Sequence, residues 1–490
     1  MLRILPPLAA GILIGTYCGI PVLAAVSMLA ASLVAAFLFR NRYWADIPLY
    51  LSIALFGTAA ACAQRCTPSI PEGKRKIELQ ITAPLSVTSS PRTLRTEAYC
   101  GAWKDSAGVW HECRERVTLY IDTAHRADVG GQIICDAFLG PLSDSATSYS
   151  RLMNSRGFFS RAYVPAYSRI IRSQVRPHGI SALSLKMQKT AVERLRSLGM
   201  DTEAEGICAA MTAGDRSGIG RAVRKAYSDT GAAHLLAVSG LHVGIVFTIV
   251  NALLYLLPFF RYGHIVKNLA AIIAVWAFVI MSGLAPSAVR AAVMFTALQL
   301  SAASGSAYNS ANALCAAAVV MLAARPALLL DTGFQMSFTA VAAIIFWFPA
   351  AMRLVRCRFK LLNALWGTVM IGIVASAALA PIVAYQFGRI PLTGFLLGPA
   401  LMLSANTIVF VSLLRIVLPL PLLAGITTTV LSWAAGFQNS IIRTLAEMPA
   451  ASIPVNIPLW AVLTVYAVLI AATVAFHVLR RRPEPFIPST

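Results

Sequence analysis

The sequence predicts a polytopic α-helical membrane protein of about 12 spans, with a small β-barrel inserted after the third. Three observations carry this. Of 490 residues 58% are hydrophobic and 12% charged, and the mean hydropathy of +0.70 lies outside the range of soluble domains. Apolar runs long enough for helices recur from one end to the other. Between residue 65 and about residue 175 that pattern gives way to short stretches in which apolar and polar residues alternate.

Residues 1–64 hold three apolar runs, near 4–20, 21–39 and 47–63. The first is followed at once by the others, so it reads as a retained span and not as a cleaved signal. Arg40 and Arg42 lie between the second and third runs. The positive-inside rule places that loop and the N-terminus in the cytoplasm, so residue 65 emerges outside.

In residues 65–175 the alternating stretches Lys76–Thr82, Arg116–Asp122 and Gly131–Leu139 read as strands. Several such strands in this length predict a small barrel. Around the turn Asp105-Ser-Ala-Gly108, the register that pairs Trp103 with Trp110 also pairs Cys100 with Cys113. An exported domain could oxidise that pair; the alternative is two free thiols. Residues 65–230 carry 24 Lys and Arg against 16 Asp and Glu, a net of +8. Trp103, Trp110, Tyr99, Tyr120, Phe158, Phe159 and Tyr163 are interleaved with Arg92, Arg95, Arg114, Arg116, Arg156 and Arg161. A basic groove with stacking aromatics suits single-stranded nucleic acid, although the same rings also suit a barrel core.

Residues 176–231 read as interfacial helices. Leu183, Met187, Ala191, Leu195 and Leu198 form one stripe opposite Lys186, Lys189, Arg194 and Arg196. Such a helix lies on a membrane or covers the core of the outer domain. Thr202 and Glu205 have capping-box spacing for a further helix. It ends at the turn Gly214-Asp215-Arg216-Ser-Gly218, and Arg221, Arg224 and Lys225 lead to Gly231.

From 232 to 480 apolar runs near 232–260, 268–283, 286–303, 310–324, 333–350, 362–387, 390–416, 420–446 and 458–479 predict about nine more spans, one or two short enough for half-helices. Threaded this way, the clusters Arg261/His264/Lys267, Arg353/Arg356/Arg358/Lys360 and Arg480/Arg481/Arg482 all fall inside. Residues 481–490 form a cytoplasmic tail.

The run His234-Leu-Leu-Ala-Val-Ser-Gly-Leu-His-Val-Gly244 places polar groups at the mouth of a span. His234 and His242, eight apart, share a face if the stretch is helical. Gly240 and Gly244 have the spacing for close helix approach. The run therefore marks a cavity or path, or a tight helix crossing with satisfied histidines. Pro286 suits a first helical residue, and Arg290 follows one turn later. Arg290 is either a functional intramembrane charge or an interfacial arginine that snorkels outward. Asp331 could cap the helix that follows, its favoured single role, or pair with Arg290; Gln335 lies one turn further on. A polyanion path needs positive potential spread thinly, which helix N-termini, Arg290 and histidines provide.

Other chemistries find little support. Nine cysteines show no CxxC or Cys/His metal spacing, and histidines 111, 125, 178, 234, 242, 264 and 477 form no ligand cluster. No metal or other cofactor is expected. Ser239 and His242 lack an orienting acid nearby, which argues against a hydrolase.

The 234–244 run closely resembles the signature of the ComEC-type competence channels, which carry single-stranded DNA across the bacterial inner membrane. Met281–Met294, Asp331–Phe338 and the Gly214-Asp-Arg216 turn match the same family. The resemblance implies that these residues line or brace a DNA path, and that the inserted barrel is an OB-like domain closed by a segment like Tyr149–Val164. It implies single-stranded DNA, the bilayer and other competence proteins (a DNA receptor, a cytoplasmic motor or strand-binding proteins) as partners, with a homo-oligomer also open. Many members carry a metallo-β-lactamase-like domain. This chain stops at Thr490 without an HxHxDH pattern, so a separate nuclease would have to degrade the other strand. Members often have histidine where Gly388 stands here, which weakens the case for a pore role at Ala384–Gly388. The expected function is uptake of single-stranded DNA through the inner membrane in natural transformation. The alternative is transport of another anionic polymer or a small solute on the same scaffold.

Overall fold

The computed structural model describes residues 3–18, 20–38, 46–64, 70–82, 86–87, 92–125, 130–142, 153, 157–173, 179–255, 263–303, 309–354, 359–391, 393–448, 452–455 and 457–480. Arg40, Arg42, Tyr149, Arg151, Arg156, Arg261, Arg356, Arg358, Arg481 and Arg482, which enter the threading and the closing-segment expectation, lie outside them. So do the side chains of Arg114, His264, Lys360 and Arg480.

Helices α1 (Leu5–Tyr17), α2 (Val22–Leu38) and α3 (Asp46–Ala63) open the chain. Helices α1 and α3 cross so closely that a Cβ on Gly11 would overlap the Ala54 carbonyl, and Thr58 Oγ1 donates to Gly11 O at 2.9 Å. Small residues allow this where lipid offers no hydrophobic drive for association.

The inserted domain is a closed five-stranded barrel. Its strands are β1 (Gly73–Ile81), β2 (Thr93–Lys104), β3 (Trp110–Asp122), β4 (Gln132–Pro141) and β5 (Phe158–Val164). They pair in the ring β1–β2–β3–β5–β4–β1, with β3 and β5 parallel and every other pair antiparallel. Closure leaves no free edge among them. A further strand, β6 (Ile170–Ser173), pairs with β4. Alternation selects Ile77, Leu79, Ile81, Val117, Leu119, Ile121, Ala162 and Val164 for the core.

The β2–β3 register differs from the expected one. Asp105 N donates to Val109 O across a turn with Gly108 at φ +90°. Trp103 therefore faces His111, Trp110 faces Lys104, and the two tryptophans point to opposite faces. Beyond a bulge between Cys100 and Ala102, Cys100 is opposite Glu115. The rule of a constant pair sum fails because a bulge sets an extra residue against the partner strand. Cys113, held in that bulge, still turns inward to place its Sγ 3.2 Å from Cys100 Sγ.

The remaining helices are α4 (Ile180–Arg196), α5 (Thr202–Ala213), α6 (Arg221–Asp229), α7 (Gly240–Leu253), α8 (Gly263–Met281), α9 (Pro286–Ala303), α10 (Ser310–Ala324), α11 (Thr332–Leu354), α12 (Lys360–Phe387), α13 (Thr393–Val417), α14 (Ala424–Ala446) and α15 (Leu459–Arg480). Three helical stretches among the described residues are long and apolar enough to cross a bilayer: Asp46–Ala63, Thr332–Arg353 and Trp366–Phe387. Seven shorter helical stretches among the described residues are also apolar in overall composition.

Helix α4 departs from both sequence readings. Most of its stripe packs on the helical core, where Ala191 and Leu195 are buried and Met187 and Leu198 lean on the same cluster, while Leu183 at its start stays 48% exposed. Ser184 Oγ donates to Ile280 O at 2.7 Å, and Arg194 donates to Ile416 O. The capping box expected at Thr202 is replaced by Asp201, whose carboxylate accepts from Glu203 N at 3.3 Å. Glu205 turns instead to Arg196, 3.0 Å away. From Ala204 to Ala213 only Glu205 is not buried, and α5 packs against α4, α13 and α14. A polar chain crosses this core: Ser404 Oγ donates to Gln438 Oε1 at 3.0 Å, and Gln438 Nε2 donates to Tyr227 Oη at 3.1 Å.

Candidate functional site: a junction of four motifs

The four stretches singled out in the sequence meet at one place, where several helices begin. Residues 235–239 are not helical: a short 3-10 turn (Ala232–His234) precedes them, and α7 starts at Gly240 with Ser239 as its cap. The expected shared helix face of His234 and His242 is therefore absent. The glycines and the serine that break the run also end its helical geometry. His234 is exposed and bonds Gly231 O at 3.0 Å through Nδ1. His242 is fully buried and closes a capping box, with Ser239 N donating to its Nδ1 at 3.3 Å. His242 thus stands where Glu or Gln usually does.

Gly240 and Gly244 face α9. A Cβ on Gly240 would sit 3.5 Å from Ala291 Cβ, and one on Gly244 3.6 Å from Phe295 Cζ. The start of α9 at Pro286 is tied back to this motif by Ser287 Oγ, which donates to Val238 O. The turn before it holds Gly283 at φ +79° and Leu284 at φ +54°. A left-handed leucine costs roughly 1–2 kcal/mol, which the surrounding packing must offset.

The Gly214-Asp-Arg turn docks on the same junction. Gly214 sits at φ +72°, and a Cβ there would fall 2.6 Å from Ser282 O. Asp215 Oδ1 accepts from Ser217 N at 2.9 Å, which shapes the turn. Arg216 Nε donates to Leu236 O at 3.1 Å. Gln188 of α4 completes the packing, with Nε2 donating to Ala213 O at 2.7 Å beside Gly283.

Arg290 does not snorkel. Its side chain is 7% exposed, Nε donates to Ser337 Oγ at 3.1 Å, and Nη1 lies 3.9 Å from Asp331 Oδ1. Asp331 plays both roles considered for it, because the same Oδ1 accepts from Phe334 N at 2.9 Å and caps α11. Gly333 allows this: a Cβ there would meet Asp331 Oδ1 at 3.0 Å and Arg290 Nη2 at 3.1 Å. Gln335 ties α11 to the preceding 3-10 turn, with Nε2 donating to Leu329 O at 3.0 Å. Ser337, Gly333 and Ser287 became visible as partners only in three dimensions.

The barrel residues separate. Trp103 is enclosed, with His111 stacked on it at 4.5 Å and the Arg75 guanidinium 5.7 Å from its ring. Trp110 is 42% exposed. Arg116 lies over the Phe158 ring at 5.8 Å. Arg95 pairs with Tyr120 and Arg161 with Thr118, on the side of the sheet away from the barrel core; Arg161 is exposed, Thr118 is itself fully covered, and Arg92 is exposed ahead of β2. At the hairpin tip His111 Nε2 lies 2.9 Å from Asp105 Oδ2, and that bond holds the Asp105 carboxyl below its ordinary value. In the barrel core the hydrogen bond to Cys113, with burial, pushes the Cys100 thiol up, and burial pushes Cys135 up to about 12. Among the described residues no group of three or more His, Cys, Asp or Glu could hold a metal ion.

The junction of broken, polar-started helices over residues 214–338 coincides with a family match. The model of the competence protein family matches residues 211–480. The chain belongs to that family, as a ComEC-type competence protein. It is 33% identical over 172 residues to ComE operon protein 3 of Bacillus subtilis (strain 168), a match covering 34% of this chain and 21% of that protein. The alignment thus spans about a fifth of the relative's length. No solved structure matches.

Proposed function

We propose that this protein is an inner-membrane channel for uptake of single-stranded DNA during natural transformation, with the barrel as an exported OB-like receiving domain. The observation that carries the reading is the junction itself: a buried Arg290–Asp331 pair among the starts of α7, α9 and α11. Helix starts present positive dipole ends, and one buried, partly neutralised arginine adds fixed potential without a tight phosphate trap. The ring order β1–β2–β3–β5–β4 supports the OB-like assignment.

In this reading Arg290 and Asp331 sit on the path. His242, Gly240, Gly244, Gln335 and Pro286 brace it, and the Gly214-Asp215-Arg216 turn locks the brace. About 12 spans place both termini in the cytoplasm. A DNA receptor and a cytoplasmic motor or strand-binding proteins complete the machinery, and the channel works as a monomer or a homo-oligomer in the bilayer. A membrane reading is supported because many helices carry apolar faces that no other described residue covers.

The test is delivery of labelled DNA to the cytoplasm in cells carrying Arg290→Ala, with protein level checked by blot. Arrest of DNA outside the inner membrane is expected in Arg290→Ala, and also in the less destabilised Arg290→Met/Asp331→Leu double variant at normal protein level. Normal uptake in a full deletion would refute the DNA reading.

A further inference from the structure

The barrel exterior carries a feature that the chain order hides. Lys74 of β1 is opposite Phe138 of β4, Phe138 is opposite Tyr163 of β5, Tyr163 is opposite Tyr120 of β3, and Tyr120 is opposite Arg95 of β2. These five residues form one unbroken row around the outside, with three adjacent rings in the middle and a cation at each end. Phe138 is 42% and Tyr163 40% exposed, although neighbouring strand positions bury apolar side chains completely. The next row down holds Gly140, Arg161, Thr118 and Glu97. Gly140 leaves room for the Arg161 side chain, whose Nε lies 3.6 Å from the place a Cβ would take.

We propose that the row Lys74–Phe138–Tyr163–Tyr120–Arg95, with Arg161 below it, is where the barrel grips single-stranded nucleic acid, the rings stacking on bases and the cations meeting phosphates. The proposal rests on the reading of the protein as a DNA channel and assigns its receiving surface. Adjacent strands lie about 4.7–4.9 Å apart, so the three rings stand on neighbouring strands within reach of successive bases. Stacking on such a platform is indifferent to base sequence. The row suits a polyanion because its ends are cations and Arg161 lies in the row below it; the outward aliphatic side chains of this side, Ile134 of β4 and Ile171 of β6, face each other two outward positions along β4 from Phe138. The assignment also moves the contact away from Trp103, whose ring already carries the stacked His111 and the Arg75 guanidinium.

The experiment uses the full-length protein in nanodiscs and the anisotropy of a labelled oligo-dT and of an abasic strand of equal length. Tyr163→Ala and Phe138→Ala should each weaken oligo-dT binding roughly five- to a hundredfold, and Tyr163→Phe should restore it. The abasic strand should bind wild type more weakly and be unaffected by Tyr163→Ala. Arg161→Ala should lower the slope of log affinity against log salt by about 0.7 for its lost phosphate. A Tyr163→Cys variant should react with a water-soluble maleimide and be protected by oligo-dT.

If wild type binds oligo-dT with steep salt dependence while the row variants match it, the row is overturned and the channel reading stands. If wild type binds neither strand at low salt, both fall. A thiol already blocked without DNA in the Tyr163→Cys variant would mean that lipid or protein covers the row, and would overturn the assignment.

Discussion

Arg290 and Asp331 are forty-one positions apart in the chain and meet at 3.9 Å, with side chains 7% and 8% exposed. Each is also held by a second group, Arg290 by Ser337 Oγ and Asp331 by Phe334 N. The pair therefore fixes the start of α11 against the side of α9. A buried charge beside an opposite charge is tolerated, whereas a lone buried charge is not.

Removing one member should cost far more than removing both. Arg290→Ala or Asp331→Ala is expected to destabilise the helical body by about 3–5 kcal/mol, and Arg290→Met with Asp331→Leu by clearly less. Thermal unfolding of the purified protein in nanodiscs tests this; strictly additive losses would show that the two side chains are not coupled.

Gly214 should not accept a side chain. Gly214→Ala meets Ser282 O at 2.6 Å and a positive φ together, and a cost of about 1–3 kcal/mol is expected. Gly220→Ala, with open space around its Cβ, should be close to neutral. Equal stability of the two variants would remove the Gly214 turn from the lock.

His242 acts on α7 through its cap. His242→Gln keeps an acceptor for Ser239 N and should preserve folding, while His242→Ala should cost roughly 0.5–2 kcal/mol. Loss of DNA uptake in a well-folded, normally abundant His242→Gln protein would give the imidazole a task beyond capping.

Cys100 and Cys113 are placed to cross-link. Their sulfurs need to approach by about 1 Å to bond, and closing the loop should add about 2–4 kcal/mol in an oxidising compartment. Non-reducing peptide mapping of protein from intact cells should recover the linked pair, with Cys135 free. Alkylation of all three thiols without reductant would exclude the bridge.

The hairpin tip should respond to acid. Asp105 has a folded-state value below its ordinary 3.8, so its contribution is fully present above 3.8 and is lost as pH falls through the lower folded value. Tryptophan fluorescence of the Trp103–His111 stack, followed from neutral to strongly acidic pH, should change only at that lower limit. Asp105→Asn should lose the Asp105 contribution at every pH, so any transition that remains in it belongs to other groups.

The sequence by itself determined the broad architecture, since burial is set by composition and period. Apolar runs marked the helices, strict alternation marked β1, β3 and β4, Pro286 marked the start of α9, and Asp331 advertised a cap. It also named the residues of the junction, because glycine, proline and polar groups beside apolar runs are costly unless the fold uses them. Relations between elements were not legible. The break before Gly240, the bulge that sets Cys100 opposite Glu115, and the docking of α4 on the helical core were not written in the local pattern. The same holds for the meeting of Arg290 with Asp331 and for the row from Lys74 to Arg95. Local pattern fixes which side of an element is buried; only packing among all the elements decides what covers it.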